Sequence, residues 1–501
     1  MPISNKSTAF AIVKESTEGT VSHPASGADF VPVQTDLEMT AEIEQLDNEE
    51  LKASLGMAKK ITGAENPTAS FSHYVKHSGV EGQAPAWGKC IESCLGAVDV
   101  ESVEGVTAAA STTTIIKVAD TAGFIVGQTL LIKDATNGYK IAVVHDIPNT
   151  TDLVLGFKIA AAPAAGVSLG KAVTYYPVND TSHPSLTLWR YVGNGGLKDM
   201  IRGCRVTEVG ITAEAGQLIN ASISTEGLEY FFNPIEITAS TKYLDFTDDV
   251  GTAAAIIPVG LYKTPHELAS AVTDALNGVT TETLLCEFSN STGKFTISSS
   301  TSTLLSLLWN TGTNAANTIG VKLGFSLAAN DTLATTYTSD IAQVYSAPYT
   351  PTFDAVDPIA AKGHLVYVGD QVDNFCFGPS SVSITIGAAR KVIDNICSES
   401  GRSGSIVSGR TVTVAVTALL EKHDADKFDR ALRNKDTRFM YVGGPKVGGN
   451  WEAGKCFSVY LPYCTVGTPT IGDDEGLTTI EFELSSFVPD DGSLEVFVGF
   501  V

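Results

Sequence analysis

The chain has 501 residues, too many for one hydrophobic core, and its 43 % apolar and 18 % charged composition is that of a folded, multidomain protein. A formal net charge of −23 excludes a sequence-independent nucleic-acid binder, because affinity for phosphate comes from clustered Lys and Arg. It does not exclude a surface that DNA passes without sticking.

Abundant Gly and Thr and the scarcity of long amphipathic patterns favour sheets over helices. The start, MPISNKSTAFAIVKE, has only a very short apolar run, so no signal peptide is evident, and no apolar run approaches the ~18 residues that span a bilayer. The chain is therefore expected to be soluble. Residues 1–29 are expected to form an N-terminal arm.

The next segment, 33-VQTDLEMTAEIEQL-46, alternates strictly. Read as a strand, it places Asp36, Glu38, Glu42 and Glu44 on one face and Leu37, Met39, Ala41 and Ile43 on the other. A long charged loop, 45–66, follows, then a strand at 68–77. Residues 84-APAWGKCIESCLG-96 predict a short helix, opened by Pro85, closed by Gly96, with Trp87, Ile91, Cys94 and Leu95 on one face. Further strands are expected at 186–196, 203–212 and 216–224.

The same order returns downstream. Strands at 381-SVSITI-386 and 411-TVTVAVTALL-420 precede an amphipathic helix at 424–434, then strands at 437–449, 454–464 and 476–487. Arg190-Tyr191-Val192-Gly193 matches Met440-Tyr441-Val442-Gly443. The chain reads as a diverged tandem duplication. The outward positions of 411–420 are Thr411, Thr413, Ala415 and Thr417, polar and uncharged.

Two segments have no counterpart in the second copy. Residues 100–180 carry alternating strands around Gly turns. Residues 232–349 read strand, strand, helix (264–276, capped by Thr264 with Pro265 behind it) and a hairpin turning at Ser-Thr-Gly. Both are expected to be small domains inserted through surface loops and projecting outward.

Chemistry-bearing motifs are missing. His73 and His77 lie on a strand without an intervening HExxH glutamate, and Cys90 and Cys94 have no further Cys or His pair to complete a metal site. The eight cysteines include no CxxC and read as buried free thiols. The glycine clusters 193-GNGG-196 and 443-GGPKVGG-449 lack the GxxxxGK[ST] of a phosphate loop and read as hairpin turns; no GxSxG elbow occurs. No enzyme, cofactor or metal is expected.

The segment 48-NEELKASLGMAKKITGAENPTASFSHYVKHSGVEGQAPAWGKCIESCLGA-97 resembles the N-terminal half of tail tube proteins of long-tailed bacteriophages, with a loop ending in G-x-E-N-P, a strand, and a helix closed by Gly. The later GCRVTEVGITAEAGQLINASIST is similar to that family's returning strands, and 241–340 to a small module of phage structural proteins. The resemblance implies a mainly β chain of two tandem β-sandwich or half-barrel domains, each flanked by a helix, stacked as rings into a hollow tube. The tube domains would be 30–99 with 181–231, and 350–501, with one β and one α+β insertion. Duplication would give trimeric rings with pseudo-sixfold symmetry, with hexamers of whole chains as the alternative.

Asp36, Glu38, Glu42, Glu44, Thr411, Thr413 and Thr417 would then line the lumen, keeping DNA phosphates off the wall. Asp47, Glu49, Glu50, Lys52, Lys59 and Lys60, in the long loop, would bridge rings. A tape measure protein, a tail terminator and a distal tail protein would be partners, with assembly in the host cytoplasm and no membrane. The competing expectation is a decoration, baseplate or adhesin-type protein that grips a host glycan through its insertions. There, Trp309 and Tyr262 are the large aromatics on offer besides phenylalanines.

Overall fold

A computed structural model describes residues 8–50, 58–101, 104–179, 183–193, 197–343, 350–371, 374–376, 378–398, 400–420 and 437–501. The expected helix at 424–434 and Lys52 lie outside the described residues. The chain divides into two compact units: Met1–Ala9, Trp189–Met200 and Phe231–Pro348 in one, the remainder in the other.

The larger unit is mainly β. Its principal strands are β1 (Glu38–Leu46), β2 (Ile61–Tyr74), β3 (Gly96–Val100), β4 (Val173–Pro177), β5 (Leu197–Glu214) and β6 (Asn220–Glu226). Further along come β7 (Pro379–Asp394), β8 (Arg402–Leu419), β9 (Thr437–Gly443), β10 (Phe457–Val466), β11 (Thr470–Asp474), β12 (Leu477–Ser486) and β13 (Phe497–Phe500). All pair antiparallel, in the spatial order β1–β2–β6–β5–β7–β8–β12–β11. β10 also lies on β12 and carries the sheet round through β9 on one side and β13, β4 and β3 on the other.

Alternation in the sequence becomes a two-faced sheet. One face buries Met39, Ala69, Phe71, Ile211, Ile223, Ile384, Val414, Val416, Phe482 and Leu484 in a common core. The helix α1 (Gly88–Leu95) covers part of it, with Cys90, Ile91, Cys94 and Leu95 buried and Gly96 closing it at φ 113°. Gly88 is required where it stands: a Cβ there would sit 1.9 Å from the Tyr175 hydroxyl. Cys94 Sγ donates to the Ile386 carbonyl at 3.6 Å, so α1 rests on β7. The N-terminal arm pins the same region. Glu15 accepts from Ser185, Thr187 and the Gly203 amide, each at 2.7 Å. Glu18 joins Arg205 on β5 to the Ser405 amide on β8, at 2.9 Å each.

Residues 105–169 carry six short strands with a core of their own around Leu130, Val144 and Leu155. The segment also shares a second core, in which Leu131, Val143 and Phe157 pack with Met440, Tyr460 and Phe497. The smaller unit holds α2 (Pro265–Asn277), whose cap Thr264 accepts the Glu267 amide at 3.1 Å, and the hairpin Leu284–Ser289 with Lys294–Ser299.

Three expectations need correction in detail. The acidic segment is a strand only from Glu38 onward. Gln34 N–H donates to the Ser72 carbonyl and Asp36 accepts the Ser72 amide at 3.2 Å, so the chain turns at Thr35–Asp36 before entering the sheet. Second, alternation breaks at Glu44, because a bulge between Ile43 and Gln45 shifts the pairing with β2. Third, the loop at 45–66 is shorter than the sequence suggests, and the hairpin of β7 and β8 is likewise long. β2 begins at Ile61 and β8 at Arg402, because both hairpins extend well beyond the core.

Candidate functional site

The face of the sheet opposite the core is a continuous polar surface across eight strands. In chain-to-chain order its side chains are Glu38, Thr40 and Glu42 on β1, and Asn66, Thr68, Ser70 and Ser72 on β2. Ser222, Ser224 and Glu226 follow on β6, then Glu208, Thr212 and Glu214 on β5. Ser381, Ser383 and Thr385 on β7 pair with Thr417, Ala415 and Thr413 on β8, and Gly387 with Thr411. Glu481, Glu483 and Ser485 on β12 and Thr470, Gly472 and Asp474 on β11 complete it.

Eight carboxylates stand on this surface: Glu38, Glu42, Glu208, Glu214, Glu226, Glu481, Glu483 and Asp474. Within the ranges 38–42, 68–72, 208–214, 222–226, 381–387, 411–417, 470–474 and 481–485 there is no Lys or Arg. Such a surface repels polyanions and offers hydroxyls to water.

The sequence-derived candidates fall unevenly on this map. Glu38, Glu42, Thr411, Thr413 and Thr417 are on the polar face, with Thr411 exposed and Thr413 and Thr417 half-buried between neighbours. Asp36 is exposed just before β1, and Glu44 occupies the bulge beside Gly63. Glu208, Glu214, Glu226, Glu481, Glu483 and Asp474 join the same face although nothing singled them out in the sequence. The period-two runs E-V-G-I-T-A-E and E-F-E-L carried that signal, but only the strand order places them beside β1 and β8.

The loop candidates lie at the far end of the β1–β2 hairpin. Asp47 and Lys60 form an exposed ion pair at 3.0 Å across its neck. Asn48 accepts the Glu50 amide at 3.0 Å, while Glu49 and Lys59 are exposed. The second hairpin's turn rests on the first. Glu65 N–H donates to the Ser400 carbonyl at 3.1 Å, and Arg402 to Asn66 Oδ1 at 2.9 Å.

The remaining chemistry-bearing side chains are structural. His73 Nδ1 lies 2.6 Å from the Pro32 carbonyl and His77 packs edge-on against Phe500; burial pushes both imidazoles down to about 4, so they are neutral. Trp309 is fully buried, stacked on Phe325 and donating to Asp331 at 2.8 Å, and Tyr262 is buried with its hydroxyl on the Pro258 carbonyl. These aromatics are core residues of the smaller unit, which leaves the glycan-gripping expectation without the side chains it named.

No helix among the described residues is long and apolar enough to cross a membrane. No curated protein matches the chain. A family profile described as phage tail tube protein matches residues 5–256, half of the chain, spanning β1 to β6 and α1. The two-faced antiparallel sheet, its acidic polar face and that match lead to one conclusion: the chain belongs to the phage tail tube protein family.

Proposed function

We propose that this protein polymerises as stacked rings into the tail tube of a long-tailed phage, a hollow conduit through which DNA is ejected into the host. The single observation that carries the reading is the eight-strand polar face, with eight carboxylates and no exposed Lys or Arg in the strand ranges that form it, Arg205 opposite Glu226 being buried. Lysines on such a wall would release counterions from DNA and hold it. Carboxylates keep phosphates away over a screening length of about 8 Å at physiological salt. The protein acts here by shape and charge, not by catalysis.

Two tube domains per chain, 30–99 with 181–231 and 350–501, make the ring a trimer with six quasi-equivalent positions; a hexamer of whole chains is the alternative. The repeated strand order supports the duplication. β1–β2–β6–β5 in the first half has the same connectivity as β7–β8–β12–β11 in the second. Asp36, Glu38, Glu42, Glu44, Thr411, Thr413 and Thr417 are the lumen candidates, and Asp47, Glu49, Glu50, Lys52, Lys59 and Lys60 the contacts to the next ring. The tube forms in the host cytoplasm around a tape measure protein and ends on terminator and distal tail proteins.

Electron microscopy of the purified protein tests the reading. Tubes with regular striations and an open centre are expected. Protein that stays monomeric at every concentration and salt tried overturns it.

A further inference from the structure

The two halves of the chain are already joined edge to edge. β5, the last strand of the first set, pairs with β7, the first strand of the second, over Glu208–Glu214 and Ser381–Gly387. On the core side of this seam Val209 meets Ile386, Ile211 meets Ile384 and Ala213 meets Val382, all buried. The outer edges of the two sets, β1 and β11, have no strand beside them among the described residues. An unpaired edge of this kind is a template for another chain. Because one edge belongs to the first set and the other to the second, the contact they can make is head-to-tail, which closes into a ring when the rotation fits.

The seam also fixes the register. Two independent routes relate the halves. Cys204-Arg205-Val206 on β5 corresponds to Cys464-Thr465-Val466 on β10, both thiols being buried donors to a backbone carbonyl. Following those strands to the turns brings Gly216 (φ 79°) onto Gly476 (φ 88°) and Thr212 onto Gly472. The other route starts from the strand ends Tyr74 (β2) and Leu419 (β8). Tyr74 pairs with Asn220, which pairs with Thr212; Leu419 pairs with Thr479, which pairs with Gly472. Both routes equate Thr212 with Gly472. By the second route Ser70 corresponds to Ala415, so their partners Glu38 and Ser383 correspond as well.

We propose that β1 of one copy docks on β11 of the next in the register of the internal seam. Gly472 then lies opposite Glu38, Ile471 opposite Met39 and Thr470 opposite Thr40. This rests on the ring reading above and adds its contact residues. The chemistry of the two edges fits. Ile471, which is 68 % exposed in the single chain, takes the place of buried Ile211 and is covered against Met39. Thr470 and Thr40 make a cross-strand hydroxyl pair, and Glu38 faces a glycine; the same register brings Asp474 opposite Asp36 just outside β1, where both carboxylates are exposed to solvent. The acidic face of one copy thus continues unbroken into the next.

The test is a paired-cysteine crosslink in the full-length assembled protein. Residues directly opposite on neighbouring strands have Cβ atoms about 4.5–5.5 Å apart, close enough for a disulfide after small adjustment. Thr40 and Thr470 are both exposed, so Thr40→Cys and Thr470→Cys leave the core intact. After mild oxidation with oxidised glutathione, the double variant is expected to run as covalent oligomers on non-reducing gels. With the exposed native thiol removed by Cys397→Ser in every variant, each single variant, and the shifted pair Asp36→Cys with Thr470→Cys, is expected to run as a monomer. Rings visible by microscopy with no 40–470 crosslink, or with the shifted pair crosslinking equally, overturn the register while the ring reading stands. Absence of rings altogether overturns the ring reading itself.

Discussion

Reversing charge on the polar face puts the conduit reading to its hardest test. Glu208 and Glu214 on β5 and Glu481 and Glu483 on β12 all project from that face, and none lies on the unpaired β1 edge. Changing these four to Lys moves the face by two charges per site, from eight negative to neutral. If each lysine engages one phosphate, the logarithm of DNA affinity falls with the logarithm of salt at a slope of about −3.6, or ~10²-fold between 50 and 200 mM. The unsubstituted face contributes no such term, since it has no Lys or Arg to neutralise a phosphate. The assay is DNA retention by assembled tubes across a salt series, followed by ejection rate from particles carrying the variant. Retention at low salt that disappears at high salt, with slowed ejection, is expected. Tubes that assemble, hold no DNA at low salt and eject at the unaltered rate would show that this face does not line the bore.

Ile384→Ala at the internal seam removes a fully buried side chain packed opposite Ile211, and should cost about 2–5 kcal/mol, read as a lowered urea midpoint; an unchanged midpoint refutes the core role of the seam. Arg205→Ala should destabilise by about 3 kcal/mol or more, because it leaves the half-buried Glu18 carboxylate without its cation; a cost below ~1 kcal/mol would mean the arm is not held through that pair. His73 and His77 give a pH dependence. Their folded values near 4 lie below the ordinary 6.5, so the unfolded chain binds protons that the native chain does not. Stability is therefore full above about pH 6.5 and falls as pH drops toward 4, by about 1.4 kcal/mol per pH unit for each histidine. His77→Phe should flatten that slope relative to the parent, and an equal slope in both refutes the assignment.

How much of this was legible beforehand varies with the kind of signal. Helix α1 and α2 were readable because their caps are local: Gly96 in a left-handed conformation, Thr264 on the Glu267 amide. The β1 segment was readable as a strand but not at its ends. The turn at Asp36 depends on Ser72, thirty-six residues away, and the bulge at Glu44 on the partner strand β2. The length of the β1–β2 hairpin is hidden from the sequence for a related reason. Residues 61–67 carry Gly63 and Pro67 and look like a loop, yet pairing with β1 holds them extended.

The sequence by itself determined that the chain is mainly β, which faces of its strands are apolar, and which family it resembles. These are properties of short-range alternation and of matching order, and both survive divergence. Which carboxylates share a surface was decided only in three dimensions. Glu38, Glu208 and Glu483 lie more than a hundred residues apart and meet on one face only because β6, β5 and β7 stand between the hairpins in that order. The same holds for the seam. Alternation says that Ile211 and Ile384 point inward, but only strand pairing sets them opposite each other, because hydrogen-bond register is a long-range choice made by the whole sheet.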